Sequence, residues 1–283
     1  MRRPSQTCPS AGQGGNSPAL DALDRLRAQR PARLREWPDA VRAIPNAFLR
    51  SALFGVVRKG TRKFIKQQQV AAIGGVQINY TGEELDQLDL DVYQTLLHIL
   101  RGTELGDEVS VKTYQLLKLM GKEDCGANRT LVHSIITRLR AGAVEVRCGR
   151  HVYIGGFVNS AIKDEATGAW NIILNKDIKV LFEHAAYTNL DWEVRQRLAG
   201  RQLAQWLHGF YSSHAKAYEL KIETLKKWCG SEAELRRFRQ TLLHSLALVE
   251  AACTASGQRF KFSVAGELVR VDKMGSGSQR SHL

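Results

Sequence analysis

The chain has 283 residues, of which 43% are hydrophobic and 24% charged, a balance typical of a globular protein with one large or two small domains. Its formal net charge of +13 predicts a polyanionic partner, either nucleic acid or an anionic membrane surface. No apolar run reaches the roughly 18–20 residues of a membrane span, and no apolar segment follows Met1 as in a signal peptide, so we expect a cytoplasmic protein.

The two ends of the chain differ in composition from the middle. Residues 1–36 are rich in Pro, Ser, Gly and Arg, which predicts a disordered basic arm, and residues 273–283 predict a flexible tail. Between them we expect two domains, at residues 37–162 and 163–272. The five cysteines contain no C-x-x-C pair, so they indicate free thiols and argue against a zinc ribbon.

In the first predicted domain, the apolar spacing indicates a helix over residues 47–57 and a hairpin over 70–80 around Gly74-Gly75. The order helix, strand, helix, helix, two-stranded ribbon follows. We predict these elements over residues 90–100, 109–111, 113–119, 128–140, and 143–147 with 151–155.

The second half repeats this order of elements. After a strand at 170–174 and a short helix at 176–182, we predict a long helix over 192–210, or two helices joined near Gly200. A strand (218–220), two helices (222–229 and 232–247) and a ribbon (248–252 with 259–264) follow. Ser231 and Glu234 have the spacing of a capping box. In the helix that follows, Leu235, Phe238, Leu242 and Leu246 are predicted to face inward. The fold class is therefore α+β, with two tandem winged-helix domains that divide near residues 163–168.

The last helix of such a unit enters the major groove, and the residues outside its apolar stripe are the candidate DNA contacts. In the second domain these are Arg236, Arg237, Arg239, Gln240 and Ser231, with Lys226 and Lys227 on the preceding helix. In the first domain they are Asn128, Arg129, Thr130, His133 and Thr137, with Arg147 and Arg150 on the predicted wing. Arg138 and Arg140 also lie outside the apolar stripe of this helix, so we expect them to face outward. The alternative is that these are solvated helix faces, but their recurrence in both halves favours DNA.

Catalytic interpretations have less support. The chain contains no G-x-x-x-x-G-K-[ST] phosphate loop, so we expect no ATP hydrolysis, no cofactor and no metal site. Tyr211 between His208 and His214 is a weak pattern for a strand-cutting enzyme. Asp86, Asp89 and Asp91 precede a helix, and helix capping explains them better than a metal does.

Several long motifs resemble the TrfA family of broad-host-range plasmid replication initiators. They are Trp37-Pro-Asp-Ala-Val-Arg-Ala-Ile-Pro-Asn46, Arg50-Ser-Ala-Leu-Phe54, Ile78-Asn-Tyr-Thr-Gly-Glu-Glu-Leu85, Tyr211-Ser-Ser-His214, Leu220-Lys-Ile-Glu-Thr-Leu225 and Cys229-Gly-Ser231. The resemblance extends from Trp37 to about Val271.

The resemblance implies tandem winged helices that bind direct repeats, called iterons, in a plasmid origin. It also implies opening of an adjacent A·T-rich segment, contact with its single strands, and loading of the host replicative helicase with the host initiator DnaA. Active monomers would be in equilibrium with inactive dimers. Family members can carry Gln-Leu-Ser-Leu-Phe before the Trp-Pro-Asp segment for docking on the sliding clamp. Here residues 30–36 read Arg-Pro-Ala-Arg-Leu-Arg-Glu, so this segment does not predict clamp docking.

Two functions remain open at this point. The first is an iteron-binding initiator. The second is a winged-helix transcriptional repressor without a replication role, which a single palindrome at a promoter would favour over several direct repeats beside an A·T-rich block.

Overall fold

Strands and helices alternate along the chain, as the mixed sequence periodicities predict. The structure is a computed structural model that describes residues 33–58, 60, 62–73, 75–148, 151–184, 187–215 and 218–274. The predicted arm therefore lies outside the described residues up to residue 32, as does the predicted tail from residue 275. Residues 33–36 are described, and Leu34 is buried.

The helices of this part are short except for three. They are α1 (Asn46–Leu49), α2 (Gln87–Ile99), α3 (Thr113–Leu119), α4 (Gly126–Ala141), α5 (Lys179–His184), α6 (Trp192–Arg197), α7 (Gln202–Ser212), α8 (Ile222–Trp228) and α9 (Leu235–Ala255). A 3₁₀ turn over Lys176–Ile178 precedes α5. No helix within the described ranges is long and apolar enough to cross a membrane.

The strands are β1 (Val41–Pro45), β2 (Phe54–Gly55), β3 (Phe64–Val70), β4 (Gln77–Glu83), β5 (Leu85–Asp86), β6 (Glu108–Lys112), β7 (Ala143–Cys148), β8 (His151–Gly155), β9 (Val158–Asp164), β10 (Ala169–Leu174), β11 (Tyr187–Asp191), β12 (Leu220–Lys221), β13 (Phe260–Ala265) and β14 (Leu268–Lys273). They form sheets with the orders β1–β11, β2–β5, β3–β4–β7–β8, β6–β10–β9 and β12–β14–β13. All neighbours are antiparallel except β2 and β5.

Tertiary pairing changes two of the predicted elements. The predicted helix over 47–57 is helical only in α1, because the chain beyond it pairs with distant segments: Ala52 N–H donates to Ala71 O, and Phe54 pairs with Leu85. The predicted strand at 248–252 is helical, because α9 continues to Ala255 with Val249 and Ala252 on its buried face. The long helix at 192–210 is divided into α6 and α7 near Gly200, whose φ is +77°.

Two apolar cores hold these elements. In the first half, rings from α1, β2, α2 and the loop before β9 pack against one another at interplanar angles of 58–71°, among them Phe48, Tyr93 and Phe157. In the second half, Phe238, Leu242 and Leu246 of α9 pack with residues of α7, α8 and β14. The predicted domain limit between residues 162 and 163 lies within β9, so it would divide the β9–β10 hairpin. The division into two domains remains a prediction.

Candidate nucleic-acid interface

The same structural unit occurs twice along the chain. In each copy a strand runs directly into a short helix, a longer helix follows, and a hairpin closes the unit. The first copy is β6, α3, α4 and the hairpin β9–β10; the second is β12, α8, α9 and the hairpin β13–β14. In both three-stranded sheets, the last strand of the hairpin lies in the middle and pairs with the strand before the short helix. The repeat predicted from the order of elements is therefore also a repeat of strand pairing.

The turns between the two helices match closely. Both short helices have seven residues, and the longer helix begins seven positions after each of them ends. Gly121 and Gly230 take left-handed φ values of +66° and +72° at the same place in the turn. In both turns the next N–H reaches back to a carbonyl of the short helix, from Lys122 to Leu117 and from Ser231 to Lys226. This is the Schellman closure, which favours glycine at the left-handed position.

Helix α9 buries one face and presents a cationic face to solvent. Phe238, Leu242 and Leu246 are buried. Arg236, Arg237 and Gln240 are exposed on the opposite side of the first turns, as predicted. Within the described residues, no acidic group forms an ion pair with Arg236 or Arg237. Both guanidinium groups are therefore available to an anion from outside the chain.

Two details at the start of α9 differ from prediction. The helix begins at Leu235 and its N-cap is Glu234, so the predicted capping box of Ser231 with Glu234 does not form. Ser231 instead lies in the turn, where its Oγ accepts from the N–H of Ala233 at 3.4 Å. Ser231 takes part in the turn at Gly230 through its backbone N–H, so α9 begins only at Leu235. Leu235, predicted to face inward, is 41% exposed.

Arg239 is already paired inside the chain. Its Nη1 lies 2.6 Å from Glu267 Oε1, in the turn between β13 and β14. This contact ties the exposed face of α9 to the tip of the hairpin behind it. On the last turn of α8, Lys226 is partly buried and Lys227 is exposed.

The outer face of α4 is polar but less cationic. Thr130, His133 and Thr137 are exposed along it. The His133 ring packs 5.4 Å from the Trp170 ring of β10, and Thr137 Oγ1 donates to the carbonyl of His133. Thr130, His133 and Thr137 thus lie together on the outer face of α4, which carries less free charge than that of α9.

Asn128 and Arg129 at the start of α4 both interact with the preceding turn. Asn128 Nδ2 donates to the carbonyl of Glu123 at 2.8 Å, and Arg129 forms a two-point ion pair with Asp124 at 2.6 and 2.7 Å. Hydrogen bonding to Asp124 raises the pKa of Arg129. Because this pair is exposed, a phosphate can replace the carboxylate at little cost.

An ion-pair network behind α4 fixes the orientation of the helix. Arg138 points inward and pairs with Glu83 at 3.0 Å and with the buried Asp89 of α2. Asp89 also accepts from Arg62 at 2.9 Å and forms a capping box with Asp86, as predicted for these carboxylates. Arg138 was expected among the outward side chains of this helix, and its inward position is a correction. The outward face of α4 follows from this anchoring.

The hairpin predicted as the first-half wing does not pair with the strand before α3. Strands β7 and β8 do form the expected hairpin, but β7 pairs with β4, so this ribbon extends a separate four-stranded sheet. The hairpin β9–β10 occupies the position behind α4 instead. Arg147 therefore lies on β7, exposed and paired with Glu145 at 3.1 Å, and Arg150 lies outside the described residues. The sequence signal for the β9–β10 hairpin is the turn at residues 164–168, where the sequence predicted the division between the two domains.

Two of the three residues of the strand-cutting hypothesis lie inside the protein, and His214 is partly buried. Tyr211 and His208 are 1% and 3% exposed, within the core around α7. Burial raises the pKa of Tyr211 and lowers that of His208 to about 3. Cys125, Cys229 and Cys253 are free thiols.

The mixed α/β fold has relatives among solved structures. Domains 2 and 3 of RctB superpose with a TM-score of 0.55 at 14% identity, over 81% of this chain and 97% of that one. The Pi initiator protein, solved in complex with iteron DNA, gives a TM-score of 0.50 at 10% identity, over 66% of this chain and 91% of that one. At these identities the likeness shows a common fold.

The sequence defines the family more narrowly. The family described as TrfA protein matches residues 32–252, and the chain belongs to that family. The plasmid replication initiator protein TrfA of Escherichia coli is 30% identical over 213 residues, which are 72% of this chain and 55% of that protein. The chain thus spans about half the length of this curated relative.

Proposed function

We propose that this chain is a plasmid replication initiator that binds iterons at a plasmid origin through two winged-helix units. The observation that carries the proposal is the repeated strand–helix–helix–hairpin unit, with the polar face of its longer helix exposed in each copy. Membership of the TrfA family and the likeness to the Pi initiator support it.

The pairing of β6 with β10, and of β12 with β14, supports a winged-helix assignment, in which the hairpin lies behind the recognition helix. We therefore assign α4 and α9 as the recognition helices and β9–β10 and β13–β14 as the wings. Two units in tandem suit a run of DNA longer than one major-groove segment.

We assign the stronger contribution to α9. Arg236 and Arg237 are exposed cations without an ion pair in the described part of the chain, and Gln240 follows on the same side. Arginine pairs with the major-groove edge of guanine, and glutamine pairs with that of adenine. Either arginine can also neutralise a phosphate. The neutral residues of α4, such as Thr130, are better suited to hydrogen bonds with phosphate or bases.

The later steps are further parts of the proposal. Binding energy would deform the neighbouring A·T-rich DNA, whose steps are cheap to distort. The chain would then help load the host helicase together with DnaA, as a monomer in equilibrium with dimers. We propose no catalytic role for the chain, since Tyr211 is buried and no phosphate loop occurs in the sequence. Its location would be the cytoplasm, at the plasmid.

The proposal is tested on α9. Arg236→Ala and Arg237→Ala should each weaken binding to duplex DNA with the repeats beside the gene, by about 1–3 kcal/mol where a base contact is lost. Loss of a phosphate contact alone should lower the slope of log affinity against log salt by about one unit. Binding is measured by fluorescence anisotropy at several salt concentrations.

The matched control is Arg259→Ala, which removes an exposed arginine before β13 that already pairs with Asp272. A second readout is maintenance of an origin plasmid with the gene supplied in trans. The double variant at Arg236 and Arg237 should fail to maintain the plasmid. Unchanged affinity and maintenance would exclude α9 as the reading helix. Duplex binding without plasmid maintenance by the unmodified chain would favour a repressor.

A further inference from the structure

A cavity of about 340 Å³ lies away from the two helical faces, between residues 33–37, α5 and the start of β11. Its lining is unusual for this chain, in which aromatic residues are only 7% of the total. Three lining residues are aromatic, three are cationic and one is aliphatic, with no acidic residue in the described lining. They are Trp37, Phe182, Tyr187, Arg33, Arg35, Lys179 and Leu34.

The aromatic wall is held in place by contacts on its far side. The Trp37 indole N–H donates to His98 Nδ1 at 3.0 Å, and the Trp37 carbonyl accepts from Arg101 Nε at 3.0 Å. His98 is buried, and its Nε2 lies 3.3 Å from Asp39. The Trp37 ring is therefore fixed before any ligand arrives.

The opposite wall is also built from packed elements. The rings of Phe182 on α5 and Tyr187 on β11 lie 5.6 Å apart between centroids. Tyr187 pairs with Pro45 in the β1–β11 ladder, and Arg33 forms a backbone bridge with Glu104. The cations and the rings thus come from segments that are each tied to the body of the protein.

Rings beside guanidinium and ammonium groups match one ligand chemistry. A nucleobase stacks on an aromatic face, and a phosphate pairs with arginine or lysine. Binding cavities for small molecules begin near about 300 Å³, so this one suits a single nucleotide. We propose that the cavity binds one nucleoside phosphate unit, either a free nucleotide or an unpaired nucleotide of single-stranded DNA. The proposal does not depend on duplex recognition by α9.

The test uses the full chain and two probes, free deoxyadenosine monophosphate and an oligothymidylate of about 12 nucleotides. Saturable binding is followed by calorimetry and by quenching of tryptophan fluorescence. Phe182→Ala and Arg35→Ala should each weaken binding by about tenfold. Phe182→Tyr keeps a ring and should bind nearly as well as the unmodified chain. Arg259→Ala removes one exposed charge outside the cavity and serves as the control for net charge.

Binding of both probes supports the inference and shows that a free nucleotide is a sufficient ligand. Binding of the oligonucleotide alone also supports it and shows that the bound nucleotide belongs to single-stranded DNA. The inference is overturned if neither probe saturates, if the cavity variants bind normally, or if only an acidic peptide such as tetraglutamate binds. Duplex affinity for the repeats is measured in parallel and should stay unchanged in Phe182→Ala. If the unmodified chain binds the nucleotide probes but does not bind duplex DNA with the repeats, only the proposed function is refuted.

Discussion

Gly121 and Gly230 show how single residues position the candidate recognition helices. Each lies in the turn after a seven-residue helix with a positive φ. An L side chain is strained in this conformation because its Cβ approaches the backbone carbonyl. At Gly230 an added Cβ would also lie 3.1 Å from the Cβ of Ala52. Glycine is therefore required by conformation and by space.

We expect Gly230→Ala to lower the free energy of unfolding by about 1–2 kcal/mol, since it adds left-handed strain and a close contact. The measurement is urea denaturation followed by circular dichroism. Gly126→Ala is the matched control, because Gly126 begins α4 without a positive φ and its Cβ would meet nothing within 4 Å. That variant should be as stable as the unmodified chain or slightly more. Equal losses in both variants would argue against the conformational explanation.

Two of the arginines predicted to contact DNA already form ion pairs within the chain. Arg239 pairs with Glu267 and Arg129 with Asp124. Asp124 and Arg129 are only five positions apart, and the turn before α4 brings their side chains together. Arg239 and Glu267 are 28 positions apart, so only the packing of the β13–β14 hairpin against α9 reveals their ion pair.

At the scale of elements, a buried network joins α2 to α6 and α7. Arg195 of α6 is 1% exposed and donates to Asp91 of α2 at 2.6 Å. It also donates to the carbonyls of Gln87 and Gln205, and Gln205 in turn donates to the second oxygen of Asp91. Every charge in the network has a partner, which is the condition under which a buried ion pair is tolerated.

Removing one member should leave an unpaired buried charge. We expect Arg195→Met to lower the free energy of unfolding by about 3–5 kcal/mol. The double variant Arg195→Met, Asp91→Leu should regain most of that loss, because it replaces both charges by apolar groups. Urea denaturation of the two single variants and the double variant measures the coupling. A double variant no more stable than Arg195→Met would contradict the proposed pairing.

The hairpin that lies behind α4 is not the one that the sequence pattern predicted. Two hairpins follow α4, and both have alternating strands with a short turn. The sequence pattern alone favoured the first of them, β7–β8, as the wing. In the structure β9–β10 lies behind α4, because β6 pairs with β10 while β4 pairs with β7. Strand pairing across more than 50 residues cannot be read from local alternation.

At the scale of the whole molecule, buried histidines link stability to pH. Burial lowers the pKa of His208 to about 3, with Arg195 and Lys273 contributing in the same direction. Burial likewise lowers the pKa of His98 to about 4. Because these values lie below the ordinary 6.5, the unfolded chain binds more protons than the folded chain at pH 5–6. Acid should therefore destabilise the fold as the pH falls below 6.5.

His208→Gln isolates one of these groups. Its removal should reduce the pH dependence of the unfolding free energy between pH 6 and 5 by about 1.4 kcal/mol per pH unit. Asp89 acts in the opposite direction, because burial raises its pKa to about 6, but it is present in both proteins. The two stability curves should run parallel above pH 7 and diverge below it. Curves that stay parallel down to pH 5 would exclude the assignment.

The sequence by itself determined most of the helices, the repeat of elements in the two halves, the cationic residues of α9 and the family. These features depend on local periodicity and on residue types, which the chain carries without folding. Tertiary structure alone decided which hairpin lies behind α4, which arginines are already paired, that Arg138 and Tyr211 face inward, and that a cationic aromatic cavity forms. Each of these depends on contacts between residues far apart in sequence, whose free energy only the packed chain establishes.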